Sequence, residues 1–504
     1  MGHLFVAHGD LTTLACDGLL IPCDSDGNVR RIWEAVLPPG LPVSSADPEW
    51  LALPNRPNEY GVVALGAHGG RPVWAFATVD VDSLVTPADV VSRTWRAVQH
   101  VSEGLSPSED REVPVLGLPL AGTGHAGLAT KRGEVIDGLL PRFRGSKLKV
   151  DVALVLWDRR DFAAVQERRH DSDWGGLAET LRHHADRLGA LAARGQLSLF
   201  MGAGVSRPAG LPDWWRLLDD LADEAGVVRP SLEQDPFEAA IPIVEALGDR
   251  YHAEVVKRLD KGRHAIGHAL LATLRVDRMV TTNFDECMEL ALEVPSAGEF
   301  RVLARQLVDG SRPWLLKLNG DVKQPDSIVL TSADLSRSPS ERKALEGVVQ
   351  TLLLTSHLLF VGFSLTDKNF LALADAVTKV RALAVDSVAE PPGTAIALVE
   401  ADVERAGYSD LQMLWMDESS PKRGARLLEV FLDRIVWSAS RLSDLSSEYV
   451  LDDRYLSGLS DADLALRDAI LKLRRDAGPD ARSSTAWGHV QRLLTELGGD
   501  AGHN

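Results

Sequence analysis

Short apolar runs alternate with amphipathic stretches along most of this chain, and this alternation restricts the folds that the chain can adopt. The run Val73–Thr78 precedes a helical pattern around Val91–Ser102, and the run Val113–Leu118 precedes another at Arg132–Phe143. Strands that alternate with helices in this way predict an α/β fold.

The apolar runs predict two series of strands. The first series consists of Leu4–Ala7, Gly18–Pro22, Val62–Ala64, Val73–Thr78, Val113–Leu118 and Val152–Leu156. The second series consists of Leu197–Met201, Arg278–Thr282, Leu315–Leu318, Leu358–Val361 and Thr394–Val399. Each middle strand of the second series runs into a turn rich in Gly, Asn or Asp. Open parallel sheets bind ligands at the carboxyl ends of their strands, so these turns are the first place to look for a site.

Between the two series the chain changes character. Residues 158–174 are charged and contain no β-branched run, which predicts a linker or a surface helix. A helix is expected at Gly176–Arg194, and the sequence turns helical again from about Leu427. We therefore predict a first domain at residues 1–158, a linker at 159–175, a second domain at 176–426 and a helical extension at 427–504.

Composition narrows the class of protein. A chain of 504 residues that is 45% hydrophobic and 25% charged has the balance of a globular protein with two or three domains. A formal charge of −18 disfavours direct nucleic-acid binding, because an acidic surface repels phosphates. No apolar run reaches the length of a membrane span, and the N-terminus has no basic, apolar leader. With only three cysteines, we expect a cytoplasmic protein.

The strongest local pattern lies at residues 197–215, where a buried strand meets Gly202, Ala203 and Gly204. Glycines at such a turn allow backbone N–H groups to approach a pyrophosphate. Ser206 adds a hydroxyl, and a helix that begins after Pro212 adds further amides. A lone G-x-G after a strand is a weak signal, since a plain tight turn has the same sequence.

Three other strand ends strengthen the signal. They carry small or polar residues that would converge on one crevice, namely Thr281, Thr282, Asn283 and Asp285, then Asn319, Gly320 and Asp321, then Gly362, Ser364 and Asp367. Taken singly, Asn283 or Asp285 is better explained as a helix cap than as a ligand. Taken together, the four turns favour a shared site.

These motifs resemble, in order and spacing, those of the sirtuin-like NAD-binding fold over about residues 180–420. They are G-A-G-V-S, L-P-D-W-W, T-T-N-F-D, K-L-N-G-D, V-L-T and V-G-F-S. The resemblance is greatest to the bacterial defence branch, whose members degrade NAD during phage infection. It implies a Rossmann-like, sirtuin-type parallel-sheet domain. The deacylase branch carries two C-x-x-C pairs, and this chain has none, so protein deacylation is not expected.

The resemblance also implies roles for individual residues. Gly202, Ala203, Gly204 and Ser206 would hold the NAD phosphates, and Asp213 and Trp214 would screen the nicotinamide. Thr282 and Gly320, which lie next to Asn283 and Asn319, are also assigned to NAD binding. The catalytic residues would be Asn283, Asp285 and Asn319, with Gly362 and Ser364 on the adenosine side.

Position 319 departs from the family, which has a histidine before the glycine of this motif. An asparagine amide cannot accept a proton near neutral pH, whereas histidine can. Losing a general base typically slows a reaction about 10²- to 10⁴-fold. The histidines at 264, 268 and 357 are interpreted as structural, with His357 at the wrong end of its strand.

The first domain resembles a macro domain over about residues 1–158, which implies a three-layer fold. Gly9-Asp10-Leu11-Thr12 matches the opening motif, and Asp10 would then recognise an adenine. The diphosphate-binding loop would contain Gly122, Gly124 and Gly127. The family's asparagine-rich loop is replaced by residues 21–26, so we interpret this domain as a binding or sensing module.

Three hypotheses remain open. The first is an NAD glycohydrolase effector of anti-phage defence, controlled by the macro-like domain; the second is a non-catalytic NAD or ADP-ribose sensor. The third is an interaction scaffold in which both pockets are vestigial. By analogy with the resembled branch we expect a homo-oligomer, with a defence-system protein as a possible partner. No metal site is predicted.

Overall fold

The structure, a computed structural model, confirms the α/β fold. It describes residues 2–81, 83–123, 128–294, 299–303, 305–308, 310–336, 339–383, 390–406, 410–443 and 447–499. The chain forms two compact units. The first comprises residues 1–109, 113–178 and 433–504, and the second comprises residues 110–112 and 179–432.

The first unit contains a mixed sheet. Its strands are β1 (Leu4–His8), β2 (Gly18–Asp24), β3 (Asn28–Arg30), β4 (Ser44–Asp47), β5 (Trp50–Ala52), β6 (Val62–His68), β7 (Arg71–Val79), β8 (Val115–Pro119) and β9 (Asp151–Leu156). The main order is β1-β9-β8-β2-β7-β6, with parallel pairing except for the antiparallel edge strand β6. Strands β3, β5 and β4 continue antiparallel from the end of β2.

Three helices accompany these strands: α1 (Pro87–Gly104), α2 (Arg132–Phe143) and α3 (Arg159–Glu167). Helix α1 begins at a capping box between Thr86 and Asp89, which satisfies two backbone donors that the first turn would leave free. Its apolar face, which includes Val90 and Val98, is buried.

Residues 159–175, where we predicted a linker or a surface helix, are largely structured and buried. Helix α3 places Phe162 and Val165 in the interior, and the Trp174 side chain is fully buried. The charges of this segment misled the prediction, because they lie in two blocks on either side of the apolar residues 162–165, which face inward.

The second unit is built on a parallel sheet. Its strands are β10 (Leu197–Met201), β11 (Arg278–Thr281), β12 (Arg301–Leu303), β13 (Trp314–Lys317), β14 (His357–Val361), β15 (Gly393–Val399) and β16 (Gln412–Asp417). The order is β12-β13-β11-β10-β14-β15-β16, and every pairing is parallel. Phe200 and Phe360 lie opposite each other on β10 and β14 and pack with Phe370 in the core.

Helices connect these strands. They are α4 (Glu179–Ala193), α5 (Trp214–Ala225), α6 (Pro236–Leu247), α7 (Tyr251–Leu259), α8 (Ile266–Thr273), α9 (Cys287–Leu292), α10 (Ser332–Leu335), α11 (Pro339–Thr355), α12 (Lys368–Arg381), α13 (Glu400–Arg405) and α14 (Pro421–Leu442). Three more follow, α15 (Asp461–Asp476), α16 (Pro479–Arg482) and α17 (Trp487–Glu496). No helix in the described residues is long and apolar enough to cross a membrane.

A buried carboxylate ties the C-terminal residues into the first unit. Asp433 is fully buried and accepts hydrogen bonds from Arg169 at 2.6 and 2.9 Å, from His3 Nε2 at 2.8 Å and from Trp174 Nε1 at 3.1 Å. Burial alone would raise the pKa of Asp433, but Arg169 and His3 outweigh it and lower that pKa to about 2. We call these four residues the Asp433 network. Residues 433–504 thus fold with the first unit, whereas the sequence predicted a separate extension.

Candidate functional site

The carboxyl ends of four neighbouring strands lie side by side at one edge of the second unit's sheet. Met201 pairs with both Thr281 and Val361, and Thr281 pairs with Lys317. The turns that follow these strands therefore leave the sheet at the same edge. The structure brings together the four turns that hold Gly204, Asn283, Asn319 and Ser364.

Two of these turns are in direct backbone contact. A Cβ on Gly202 would lie 2.5 Å from the carbonyl oxygen of Gly362, and one on Gly204 would lie 2.9 Å from it. Gly362 itself has a φ of +65°, which favours glycine, and the Gly204 amide donates to its carbonyl at 2.9 Å. Glycine is thus required for the contact between two turns of the protein.

The amides of the first turn are largely used within the protein. Those of Gly202, Gly204, Val205 and Ser206 each donate to a backbone carbonyl at 2.9–3.2 Å. The sequence pattern predicted that they face a pyrophosphate, and the structure gives them internal partners. Gly204 is exposed and Ala203 is half-buried, so a ligand would meet the outer surface of this turn.

Side chains from three separate segments meet at Ser206. Its Oγ donates to Asp285 Oδ2 at 2.9 Å, accepts from Asn283 Nδ2 at 3.1 Å and lies 3.3 Å from His268 Nε2. We call Ser206, His268, Asn283 and Asp285 the Ser206 network. Because the Ser206 hydroxyl is buried and used by these three residues, it is not free for the phosphate contact that we predicted.

Burial also sets the charge of the histidine in this network. Removal from water lowers the pKa of His268 to about 4, against the opposing effect of Asp285, so the ring is neutral at pH 7. Asp285 Oδ1 accepts from the Cys287 amide at 2.9 Å at the start of α9. Asp285 therefore satisfies an amide in the first turn of this helix as well as accepting from Ser206, and its contact with a ligand stays a prediction.

One acceptor of the Ser206 network has no partner. Asn283 Nδ2 donates to the Gly202 carbonyl at 3.1 Å and to Ser206, whereas the buried Asn283 Oδ1 has no hydrogen-bond partner among the residues that the structure describes. A buried polar atom without a partner costs free energy, so Asn283 Oδ1 can gain a hydrogen bond from a water or a ligand. The residue is 8% exposed.

A second unpaired group lies nearby on Trp214. Its indole packs against Phe284, the residue between Asn283 and Asp285, with ring centroids 6.1 Å apart, and against Phe237 at 5.4 Å. Its Nε1 donor is buried and has no partner in the described part of the chain. The preceding residue, Asp213, caps α5 by accepting from the Arg216 amide at 3.0 Å, which explains its position without a ligand.

Asn319 lies at the end of β13 and is 5% exposed. Its Oδ1 lies 3.5 Å from Nη2 of Arg342, whose Nε pairs with Glu346 at 2.9 Å. The following Gly320 has a φ of +106°, and a Cβ there would lie 2.3 Å from the Ser327 carbonyl oxygen. The position that holds a histidine in the resembled family is thus occupied here by the Asn319 amide, which lies beside the Arg342 guanidinium.

A buried lysine supports the turn that carries Asn283 and Asp285. Lys317 Nζ donates to the backbone carbonyls of Phe284, at 3.0 Å, and of Asp285, and it pairs with Glu289 at 2.9 Å. Arg305 also pairs with Glu289, at the same oxygen Oε1, at 3.1 Å. Burial raises the pKa of Glu289, and Lys317 opposes this shift. The buried Lys317 ammonium therefore stabilises this turn.

Two other predicted NAD-binding residues lie at the same edge. Thr282 is half-buried, and its amide donates to the Met201 carbonyl at 3.1 Å. Ser364 is exposed, and its Oγ lies 2.7 Å from Thr366 Oγ1. Both residues are therefore at least partly accessible to solvent.

Within the described residues, one group has metal-ligand composition. His268, Asp285 and Cys287 each have a ligand atom within 4.8 Å of the others. Burial and the neighbouring Asp285 raise the pKa of the Cys287 thiol, whereas metal binding requires a thiolate. The thiol lies 3.3 Å from the Arg263 carbonyl oxygen. The absence of a metal stays a prediction.

In the first unit, Asp10 follows β1 and caps the short turn Leu11–Thr13. Its Oδ1 accepts from the Thr12 amide at 2.8 Å and from Thr12 Oγ1 at 2.7 Å. Gly122 has a φ of +76°, and a Cβ there would lie 2.6 Å from Val90 Cγ1. The other two glycines predicted to bind a diphosphate, Gly124 and Gly127, lie outside the described residues.

Two residues of the site were missed in the sequence. His268 was interpreted as structural, and only its contact with Ser206, 62 residues earlier, shows its connection to the site. Lys317 is the first residue of the K-L-N-G-D motif. A lysine at the end of a buried strand was a signal of such a role, because a buried charge needs partners. His357 fits its structural interpretation, because it lies at the start of β14 and its Nε2 is 2.9 Å from Thr394 Oγ1.

Comparisons with known proteins agree with this geometry. Residues 277–410 match the family described as SIR2-like domain. The chain is 27% identical to defense-associated sirtuin 2 of Bacillus subtilis over 37% of its own length and 20% of the relative's. It is 29% identical to the NAD(+) hydrolase ThsA of Bacillus cereus, over 34% of the chain and 38% of the relative.

A protein of the same name from Enterococcus faecium is 28% identical over 35% of the chain and 38% of the relative. The match thus spans only 20% to 38% of the length of these relatives. The C-terminal region of this chain contains a SIR2-like domain that is homologous to a defence-associated sirtuin and to NAD(+) hydrolases.

Proposed function

We propose that this protein hydrolyses NAD to nicotinamide and ADP-ribose as an effector of bacterial anti-phage defence. The observation that carries the proposal is the unpaired Asn283 Oδ1, which lies where four turns meet at one sheet edge. Open parallel sheets bind their ligands at this edge. The names of the homologous NAD(+) hydrolases and of the defence-associated sirtuin support both the reaction and its setting.

In the proposed reaction, the bond between nicotinamide nitrogen and ribose C1 breaks, water adds a hydroxyl to C1, and one proton is released. The ribose develops oxocarbenium-like charge, as in glycoside hydrolysis. Asn283 Oδ1 would accept a hydrogen bond from the attacking water or from a ribose hydroxyl. Trp214 would lie against the nicotinamide and offer its free N–H to an acceptor on the ligand.

Asp285 acts in this proposal by holding Ser206 and by its negative charge near the developing positive charge on the ribose. Asn319 would hydrogen-bond the ribose, and Gly204, Thr282, Gly320, Gly362 and Ser364 would surround the rest of the dinucleotide. Because position 319 carries no base, we expect slow turnover or a need for activation.

The test is nicotinamide release from NAD by the purified full-length protein. We expect Asn283→Ala to lower the rate at least about 10²-fold, the typical loss when one positioned polar group is removed from a reaction centre. The exposed Asn55, in the first unit, supplies the control variant Asn55→Ala, which should retain the wild-type rate. Absence of release by the wild type under every activating condition would remove the proposal.

A second variant tests the departure at position 319. Asn319→His restores a group that can accept a proton near pH 7, so we expect faster release than by the wild type. A rate that stays the same would mean that Asn283 and Asp285 suffice for the chemistry.

A second candidate function is an NAD or ADP-ribose sensor without turnover. The Asn319 amide favours it, because the side chain beside Arg342 cannot take up a proton. This candidate predicts tight, saturable NAD binding with no nicotinamide released, and steady consumption of NAD would exclude it.

We further propose that the first unit is a macro-like module that binds an ADP-ribose-type nucleotide and controls the second. The motifs around Asp10 and Gly122 support this assignment. Homo-oligomerisation, a protein partner from a defence system and a cytoplasmic location stay predictions from the sequence. The expected absence of a metal and of nucleic-acid binding has the same standing.

A further inference from the structure

We propose that His268 is a positioning residue, which acts through Ser206 to keep the Asn283 amide oxygen directed at the substrate. The inference rests on the proposed NAD hydrolysis. It concerns a residue that lies on α8, outside all four turns of the sheet edge, and it follows from the hydrogen bonds of the Ser206 network.

The His268 ring carries its proton on Nε2. The Ala265 amide donates to His268 Nδ1 at 3.3 Å, so Nδ1 carries a lone pair and no proton. A neutral imidazole has one N–H, which must then be on Nε2. Nε2 lies 3.3 Å from Ser206 Oγ, and both residues are 1% exposed. His268 therefore donates to Ser206, and water does not compete for that contact.

The Ser206 hydroxyl has one proton and two lone pairs. The Asp285 carboxylate can only accept, so the Ser206 proton is directed at Asp285 Oδ2, 2.9 Å away. The lone pairs accept from His268 Nε2 and from Asn283 Nδ2. All three positions of the hydroxyl are thereby used, and its rotation is fixed.

The two N–H groups of Asn283 face two acceptors, Ser206 Oγ and the Gly202 carbonyl oxygen. Rotating the amide by 180° would place Oδ1 against the Gly202 oxygen. That orientation becomes competitive only if Ser206 turns its proton towards Asn283. The Asp285 carboxylate holds the Ser206 proton and the His268 N–H occupies one lone pair of Ser206, so together they fix the hydroxyl and keep Oδ1 free for a ligand.

Two substitutions separate this role from a structural one. His268→Asn places an amide near the position of Nδ1, which preserves the acceptor for Ala265 but removes the donor to Ser206. His268→Gln places an amide near Nε2, which preserves the donor to Ser206 but lacks a matching acceptor for Ala265. The two variants therefore remove opposite halves of the histidine's hydrogen bonding.

We expect His268→Asn to lower kcat for nicotinamide release about 10- to 100-fold, the usual loss for a residue that orients a directly acting group, with KM within about twofold of wild type. His268→Gln should keep kcat within about threefold while its melting temperature falls more than that of His268→Asn. The reverse pattern, with kcat lost in His268→Gln and kept in His268→Asn, would overturn the inference.

A crystal structure of His268→Asn gives a readout that does not depend on activity. We expect the Asn283 side chain to be rotated or displaced from Ser206 and Gly202, and an unchanged Asn283 would contradict the inference. If the wild type releases no nicotinamide, the proposed hydrolysis fails, but this structural comparison still decides whether His268 positions Asn283.

Discussion

The two units each contain a buried polar network, and the networks differ in what they leave unused. In the Asp433 network, both carboxylate oxygens accept hydrogen bonds, from Arg169, His3 and Trp174, and the atom left without a partner among the described residues is a donor, Arg169 Nε. In the Ser206 network, the hydroxyl is fully used but the Asn283 oxygen is left without a partner. The first arrangement neutralises a buried charge, whereas in the proposed function the second retains an acceptor for a ligand at a cost in stability.

The largest effect is expected from breaking the Asp433 network. Asp433→Asn leaves the Arg169 guanidinium, which is 1% exposed, without its counter-charge and turns an N–H group towards donors. Loss of one partner of a buried ion pair typically costs about 3–5 kcal/mol. We expect that loss in urea unfolding, with faster hydrogen exchange in β1 and α14.

The control for this variant is Asp137→Asn in the same unit, which breaks the partly exposed pair with Arg168. A pair of this kind contributes about 0–1 kcal/mol. Equal losses in the two variants would mean that the Asp433 network has no special stabilising role.

The next effect concerns the support of the Ser206 network. Lys317→Met removes the donor to the Phe284 and Asp285 carbonyls and leaves Glu289 with Arg305 as its remaining cation. We expect a loss of about 3 kcal/mol in stability, at the lower end for a broken buried pair, together with slower nicotinamide release. Lys323→Met, which breaks the exposed pair with Glu286, should change neither measurement.

The contribution of Asp433 to stability should depend on pH. The pKa of Asp433 is lowered to about 2 in the folded protein, so its contribution is fully present above pH 4 and is lost as the pH falls towards 2. The difference in unfolding free energy between wild type and Asp433→Asn should shrink by about 2 kcal/mol over that range. A difference that is independent of pH would show that folding does not lower the pKa of Asp433.

The smallest effect is expected at Asp10, whose carboxylate serves a local cap. Asp10→Ala should lower stability by about 1 kcal/mol, whereas Asp10→Asn should keep the cap. If Asp10 also recognises an adenine, as we propose, Asp10→Asn weakens ADP-ribose binding without a change in melting temperature. Calorimetric titration checks this, and unchanged binding in both variants would remove the adenine role.

Much of the fold could be predicted from the sequence because it follows from local patterns. Strand β10 and helix α2 have the predicted bounds, and the turns after β11, β13 and β14 lie where their polar residues suggested. The convergence of these turns also followed, since parallel strands share one carboxyl edge. The short strands β12 and β16 were missed, because three to six residues with mixed polarity carry little periodicity.

The network within the site could not be predicted, because it depends on contacts between distant segments. Nothing in the order of residues shows that His268 on α8 reaches Ser206 after β10. Nor does it show that Gly202 and Gly204 are required by the backbone of Gly362, since a G-x-G pattern has the same appearance in a phosphate-binding turn. The burial of residues 159–175 was missed because their charges dominate the pattern.

The proposed function requires that four turns, distant in the chain, surround one NAD molecule at the sheet edge. A crystal structure with carba-NAD, in which a methylene replaces the ring oxygen of the ribose next to nicotinamide and prevents cleavage, tests it most directly. We predict a ribose hydroxyl or water within hydrogen-bond distance of Asn283 Oδ1, and contacts with the turns at Gly204, Asn319 and Ser364. A dinucleotide that binds elsewhere, with Asn283 Oδ1 still unpaired, would contradict the account.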